Sequence, residues 1–339
     1  MGGGEPPSPL HGPMMPAIET FLLHHDDGIR VIVTNLGATL MAVNVPDHSG
    51  RRANVLLSHA RPADYPAAGA PGPDAYMGAT CGRYANRVTG AAFPLDGMIV
   101  RLVANEGANQ LHGGVPGFHR AVWRVERAEA TCVILSHRSP DGEAGWPGAL
   151  SVTTTFLLPA PDTLRVVYHA TTDRPTHVNL VSHPYFNLSG DPATTIHDHR
   201  LRIASDRFLP IDAAALPTGE RRSVAGTPFD FRASRPVGRE VLPGYNHNYC
   251  LSGDGMREVA WLDHAGSGRS LTIATDRPGL QFYDGYGLSG AFAPHTGLCL
   301  EAQGWPDAAN HPDFPSSRID PGDRWQAITE WRFGPSPAS

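Results

Sequence analysis

Apolar positions along this chain come in short runs, alternating with polar neighbours or continuous over four to eight residues, and glycine and proline interrupt them at close intervals. Residues 29–45, Ile-Arg-Val-Ile-Val-Thr-Asn-Leu-Gly-Ala-Thr-Leu-Met-Ala-Val-Asn-Val, hold two β-prone runs split by Asn35-Leu36-Gly37. That pattern predicts a strand, a tight bend and a second strand. Pro46-Asp47-His48-Ser49-Gly50 supplies the next turn and residues 53–57 another short strand. The same reading predicts strands over 99–103, 121–128, 131–136, 150–158, 163–171, 201–204, 258–262 and 270–275. Long stretches of 3.6-residue periodicity are nearly absent, so the expected class is all-β, a large antiparallel β-sandwich, and not α/β. No internal repeat or low-complexity linker divides the body, which predicts one domain over residues 20–335.

Composition narrows the partners more than the fold. A net charge of −6 with no lysine or arginine stripe speaks against a nucleic-acid partner. No window has the apolar length to span a bilayer, so no membrane role is expected. The four cysteines, Cys81, Cys132, Cys250 and Cys299, are widely spaced with no Cys-x-x-Cys pair. They suggest neither a zinc knuckle nor a disulfide framework, and are expected to be reduced and buried. Residues 1–16 are rich in glycine and proline without a basic region preceding an apolar run. Residues 1–19 therefore read as a flexible leader on a cytoplasmic protein.

The stretch 176–190, Thr-His-Val-Asn-Leu-Val-Ser-His-Pro-Tyr-Phe-Asn-Leu-Ser-Gly, places a histidine before a proline at the end of a predicted strand. Pro184 removes a backbone donor and holds His183 extended, and Tyr185 and Asn187 flank it. A core histidine satisfied by backbone is the plain alternative; a ring poised to move a proton is the functional one. Residues 82–87, Gly-Arg-Tyr-Ala-Asn-Arg, offer an amide and two guanidinium groups suited to a hydroxyl-rich ligand. Leu111-His112-Gly113-Gly114 sets a histidine beside a glycine pair, and Gly244-Tyr245-Asn246-His247-Asn248-Tyr249 reads as a turn dense in amides and aromatics. Pro278-Gly279-Leu280-Gln281-Phe282-Tyr283 repeats that composition. In Leu300-Glu301-Ala302-Gln303 a carboxylate closes a short apolar run, a costly position unless it is paired or used. His197 and His199 share one face of an extended segment, but no third ligand with zinc-like spacing accompanies them.

In content and order these blocks resemble the aldose 1-epimerase family, over about residues 20–332. The resemblance implies a β-sandwich with a sugar in an open cleft. It implies His183 as the general acid that protonates the ring oxygen and Glu301 as the general base at the anomeric hydroxyl. Asn86, Arg87, His112, Tyr185, Asn246 and Gln281 would hold the sugar, with neither metal nor cofactor. Interconverting anomers opens the hemiacetal, turns C1–C2 and closes on the other face, so one group gives a proton while another takes one. Two departures from the family's pattern stand out. Asn246 occupies the position of a usual aspartate, bearing on which sugar is preferred, and Asp284 replaces a small polar residue and is expected to change the cleft rim. The implied partner is a monosaccharide bound by a monomer or weak homodimer. The rivals are a glycoside hydrolase, which needs two carboxylates about 5 to 9.5 Å apart, a non-catalytic sugar-binding protein, and an epimerase of a hexose phosphate, which needs a basic cluster.

Overall fold

The alternating runs pair into antiparallel ladders. The computed structural model describes residues 17–66, 72, 76–238 and 240–335. Three larger sheets build it. Nine strands lie side by side in the order Arg124–Glu129, Cys132–Ser139, Leu150–Ala160, Thr163–Thr172, Trp325–Pro335, Arg269–Thr275, Arg257–His264, Arg200–Ile203 and Arg235–Pro236. A four-stranded meander, Thr20–His24, Arg30–Thr34, Thr39–Pro46 and Arg52–Asn54, forms a second sheet. The third has five strands in the order Arg222–Ser223, Arg207–Phe208, Asn246–Cys250, Gly279–Tyr283 and Cys299–Gln303. One buried cluster unites inward side chains of all three: Val31 and Val33 from the meander, Leu135, Val152, Val166 and Trp331 from the large sheet, and Tyr249, Leu280, Phe282 and Leu300 from the five-stranded sheet. The all-β sandwich expected from the sequence is the architecture observed.

The differences from the sequence reading have local causes. The large sheet's Trp325–Pro335 strand, between Thr163–Thr172 and Arg269–Thr275, goes unpredicted because charged residues break its apolar pattern. Those charges occupy the outer face, where Glu330 Oε2 accepts from Arg165 Nε at 2.8 Å, while Trp331 and Phe333 alternate inward. Residues 53–57 are not one strand. Asn54 Oδ1 accepts the backbone N–H of Val43 at 3.0 Å and of Leu56 at 3.1 Å, replacing ladder bonds with side-chain bonds. Arg52–Asn54 therefore stays in the meander while Leu56–Leu57 pairs with Tyr185–Phe186. Of the segment expected to be a leader, residues 1–16 lie outside the described residues. Ala17 and Glu19 are tied to Asn35, whose Nδ2 donates to the Ala17 carbonyl at 2.9 Å and whose Oδ1 accepts the Glu19 N–H at 2.7 Å. Among the described residues no helix is long and apolar enough to cross a membrane.

Candidate active site

Asn246–Cys250, read from sequence as part of a turn, is a strand. Asn and His favour strands poorly, but two-sided pairing with Arg207–Phe208 and Gly279–Tyr283 overrides that preference. The register places Asn248 opposite Gln281 and Gln281 opposite Glu301. Side chains alternate across a strand, so Asn246, Asn248, Gln281, Tyr283, Cys299, Glu301 and Gln303 share one face, and Tyr249, Leu280, Phe282 and Leu300 share the other. The second set fills the core. From the first, Asn246, Gln281, Tyr283 and Glu301 line a cleft of about 430 Å³, with Asn248, Cys299 and Gln303 behind them. Glu301 thus lies mid-strand within Cys299–Gln303 and is 3% exposed.

His183 reaches the cleft from the opposite wall. Val181–Ser182 pairs with Thr80–Cys81, and the chain is clamped on both sides of the histidine: its N–H donates to the Ala79 carbonyl at 3.0 Å and its carbonyl accepts from Gly78 N–H at 2.8 Å. Pro184, which offers no donor, then leads into the Tyr185–Phe186 strand. Tyr185 stacks on the His183 ring with centroids 5.2 Å apart. Nε2 of His183 lies 3.5 Å from Glu301 Oε2, and Nδ1 lies 3.5 Å from Cys299 Sγ. Oε2 is buried and accepts no hydrogen bond among the described residues. Burial penalises charge on each member: it pushes the Glu301 carboxyl up to about 8, opposed by Arg87, and the His183 ring down to about 4.

Asn86 and His112 form the third wall. Both adopt left-handed backbone, φ 63° and 50°, and they lock each other. His112 N–H donates to the Asn86 carbonyl at 3.0 Å, while Asn86 N–H donates to His112 Nδ1 at 3.2 Å. An Nδ1 that accepts leaves the proton on Nε2, so His112 presents a neutral donor. Burial, then His183 and Arg87, hold its ring well below the usual imidazole range. Gly113 makes this close approach possible: at φ +84° its missing Cβ would fall 2.0 Å from the Gly82 carbonyl oxygen. Arg87 spans the cleft edge with its fork on Glu106, Nε to Oε2 at 2.6 Å and a terminal nitrogen to Oε1 at 2.7 Å.

The cleft therefore gathers His183, Glu301, Asn86, Arg87, His112, Tyr185, Asn246 and Gln281, every residue to which the family resemblance gives a role. It also holds Tyr76, Glu106 and Tyr286, which sequence reading missed. Tyr76 packs on His112, centroids 4.5 Å apart, from a loop with no periodic signal. One expectation is corrected. Arg83 is not a ligand group. It is 1% exposed and points inward, donating to the carbonyls of Pro147, Gly148 and Pro140 and to Ser139 Oγ. We expect Arg83→Met to destabilise the fold by about 3 kcal/mol or more, since several buried acceptors lose their donor at about 1–3 kcal/mol each; a denaturant midpoint that does not move would contradict this. Asp284, expected to change the cleft rim, follows the cleft-facing Tyr283 and does not itself line the cleft, but it holds the backbone of Tyr286, which does. It stands 2% exposed behind the wall, accepting the Tyr286 N–H at 3.2 Å and lying 3.6 Å from His295 Nδ1.

Among the described residues, two side-chain groups have ligand atoms close enough to consider for a metal ion. In the first, Cys299 Sγ lies by Nδ1 of His183 and Glu301 Oε2 by Nε2, on opposite sides of one buried ring. In the second, His199 associates with Asp198 and His264, not with His197, whose ring packs at a tilt against His295, centroids 4.9 Å apart. Leu188 N–H donates to His199 Nε2 at 2.9 Å and Ser267 N–H to His264 Nδ1 at 3.1 Å. Both remaining nitrogens then carry protons aimed at Asp198, at 3.2 and 3.4 Å, the reverse of a metal-bound histidine, whose distal nitrogen donates.

The Aldose 1-epimerase family model matches residues 19–332. Galactose mutarotase of Bos taurus is 41% identical over 329 residues, covering 93% of this chain and 94% of that one. Aldose 1-epimerase of Escherichia coli is 34% identical over 330 residues, covering 92% and 94%. Among solved structures, an aldose epimerase homologue from C. elegans superposes with a TM-score of 0.88 at 26% identity, covering 95% of this chain and all 100% of the other. Galactose 1-epimerase from Lactobacillus acidophilus gives 0.81 at 27% identity, with coverage of 95% and 100%.

Proposed function

The chain belongs to the aldose 1-epimerase family, isomerases acting on carbohydrates, and on that premise we propose that His183 and Glu301 carry its mutarotation of free aldoses. The observation that carries this reading is the buried Glu301 Oε2, which accepts no hydrogen bond among the described residues and stands 3.5 Å from His183 Nε2 at the cleft. A sugar's anomeric hydroxyl is a donor of the kind this oxygen lacks. In ring opening, the pair's proton, held at rest on Glu301, shifts across the 3.5 Å gap to His183 Nε2; the O1–H proton then passes to the Glu301 carboxylate, C1=O1 forms, the C1–O5 bond breaks and O5 takes the proton from His183 Nε2. Rotation about C1–C2 and the reverse transfers close the ring on the other face. One proton is shared by the pair throughout, so roles exchange on closure and no covalent intermediate is needed. Tyr185, His112, Asn86, Arg87, Asn246 and Gln281 hold the hydroxyls, with His112 and Asn86 acting as donors.

The cleft favours an unphosphorylated sugar. Arg87 is its one cation among the described residues, and Glu106 already takes both arms of its fork. Glu106 is a second carboxylate in the lining, but both its oxygens are engaged, which leaves a hydrolase without a free acid. A sugar carrier would gain nothing from an unpartnered buried carboxylate beside a histidine. The proposal includes a monomer or weak homodimer in the cytoplasm, in keeping with four free, buried cysteines. Polarimetry on freshly dissolved α-D-galactose, α-D-glucose and L-arabinose tests the reading. Acceleration over buffer is expected for at least one, with galactose 6-phosphate accelerated less than galactose; failure on every aldose would refute it.

A further inference from the structure

From Asn248 and Gln303 behind the cleft wall to Gln281 and Asn246 in its lining, side-chain amides form an unbroken chain whose direction is set at its buried end. Asn248 Nδ2 donates to the main-chain carbonyl of Tyr249 at 3.3 Å, an oxygen that can only accept. Asn248 Oδ1 is thereby turned toward Gln303. Gln303 must answer with Nε2, whose two hydrogens reach Asn248 Oδ1 and Gln281 Oε1, each at 3.3 Å. Gln281 in turn offers Nε2 to Asn246 Oδ1 at 2.7 Å. Reversing the chain would set Asn248 Oδ1 against the Tyr249 carbonyl and leave both Gln303 N–H groups buried without an acceptor. The observed direction leaves one orphan, Gln303 Oε1, the smaller penalty.

We propose that this amide relay makes Asn246 a hydrogen-bond donor toward the sugar, selecting aldoses that offer an acceptor at that position, with Gln303 and Asn248 as positioning residues. The Oδ1 of Asn246 is already taken by Gln281, so Nδ2 is the group left for the cleft. An aspartate in its place accepts from Gln281 and also accepts from the sugar, requiring a hydroxyl that donates. One side-chain atom thus reverses the sense of one sugar contact while leaving the proton-transfer pair untouched. The relay rests on the reading of the cleft as an aldose site.

Fluorine separates the two senses, because C–F accepts weakly and cannot donate, whereas C–H does neither. The measurement is kcat/KM for mutarotation of D-galactose and of its 3-, 4- and 6-deoxy and deoxyfluoro analogues, each divided by its own rate in buffer. At one ring position the fluoro analogue is expected to exceed the deoxy analogue about threefold on the wild-type protein, the size of one neutral hydrogen bond. Asn246→Asp is expected to bring that ratio below unity, and Gln303→Met to bring it near unity while D-galactose is still accelerated. A loss of packing alone would lower both analogues together and leave the ratio unmoved. A wild-type ratio at or below unity at every position overturns the proposal, as does a ratio that Asn246→Asp leaves above unity. Asn246 faces the cleft, so that variant decides the case if Gln303→Met does not fold. Loss of acceleration on D-galactose itself would overturn the aldose reading instead.

Discussion

Replacing Glu301 by glutamine is expected to lower kcat for mutarotation by about 10²- to 10⁴-fold, the contribution of one positioned acid–base group, with little change in KM. The amide keeps the volume and the strand pairing with Gln281 but cannot take the anomeric proton at Oε2. Its effect on stability should have the opposite sign. The carboxyl is pushed from an ordinary value of 4.5 to about 8 by burial, so the fold favours its protonated form. A group raised in this way contributes fully below its unfolded value and loses that contribution as pH rises through the folded value. Glutamine has no proton to lose. Glu301→Gln should therefore exceed wild type in denaturant midpoint at pH 9, with the gap closing toward pH 5. Near-wild-type turnover would remove Glu301 from the proton path, and equal midpoints at both pH values would show that its burial carries no penalty.

What the sequence disclosed and what it concealed follow from one distinction. Residues such as His183 and Glu301 were legible because their chemistry clashes with their surroundings: a histidine before a proline at a strand end, and a carboxylate continuing an apolar run. Leu150–Ala160 and Thr163–Thr172 were legible because both alternate cleanly over the core. Asn246–Cys250 was not, since its cleft face is polar and yet buried, and polar residues in sequence look solvated. Glu106 and Tyr76 sit in loops whose positions depend on partners far along the chain. Arg83 and Arg87 look interchangeable in sequence, but four residues apart one is spent on carbonyls and the other faces the cleft. The amide relay was least visible, because its direction is decided by a main-chain carbonyl, at Tyr249, that no residue type encodes.

His183→Asn is expected to cost a similar 10²- to 10⁴-fold in kcat, and combining it with Glu301→Gln should cost little more than either change alone. The reason is that one proton serves both residues. With Nε2 and Oε2 3.5 Å apart, the pair titrates as a unit, and its singly protonated form alone contains both an acid and a base. Above the raised Glu301 value of about 8 the last proton leaves and no acid remains; below the lowered His183 value of about 4 a second proton arrives and no base remains. The plot of kcat/KM against pH for the wild-type protein should therefore be a broad bell with limbs near those values, each belonging to the pair and not to one side chain. Removing either partner abolishes the shared proton, so the residual activity of each variant should lose the bell, and what remains should reflect orientation of the sugar by Asn86, His112 and Gln281 alone. Fully additive losses in the double variant would mean that the two residues act independently, and a single-limbed wild-type profile between pH 4 and 8 would mean that only one of them transfers a proton.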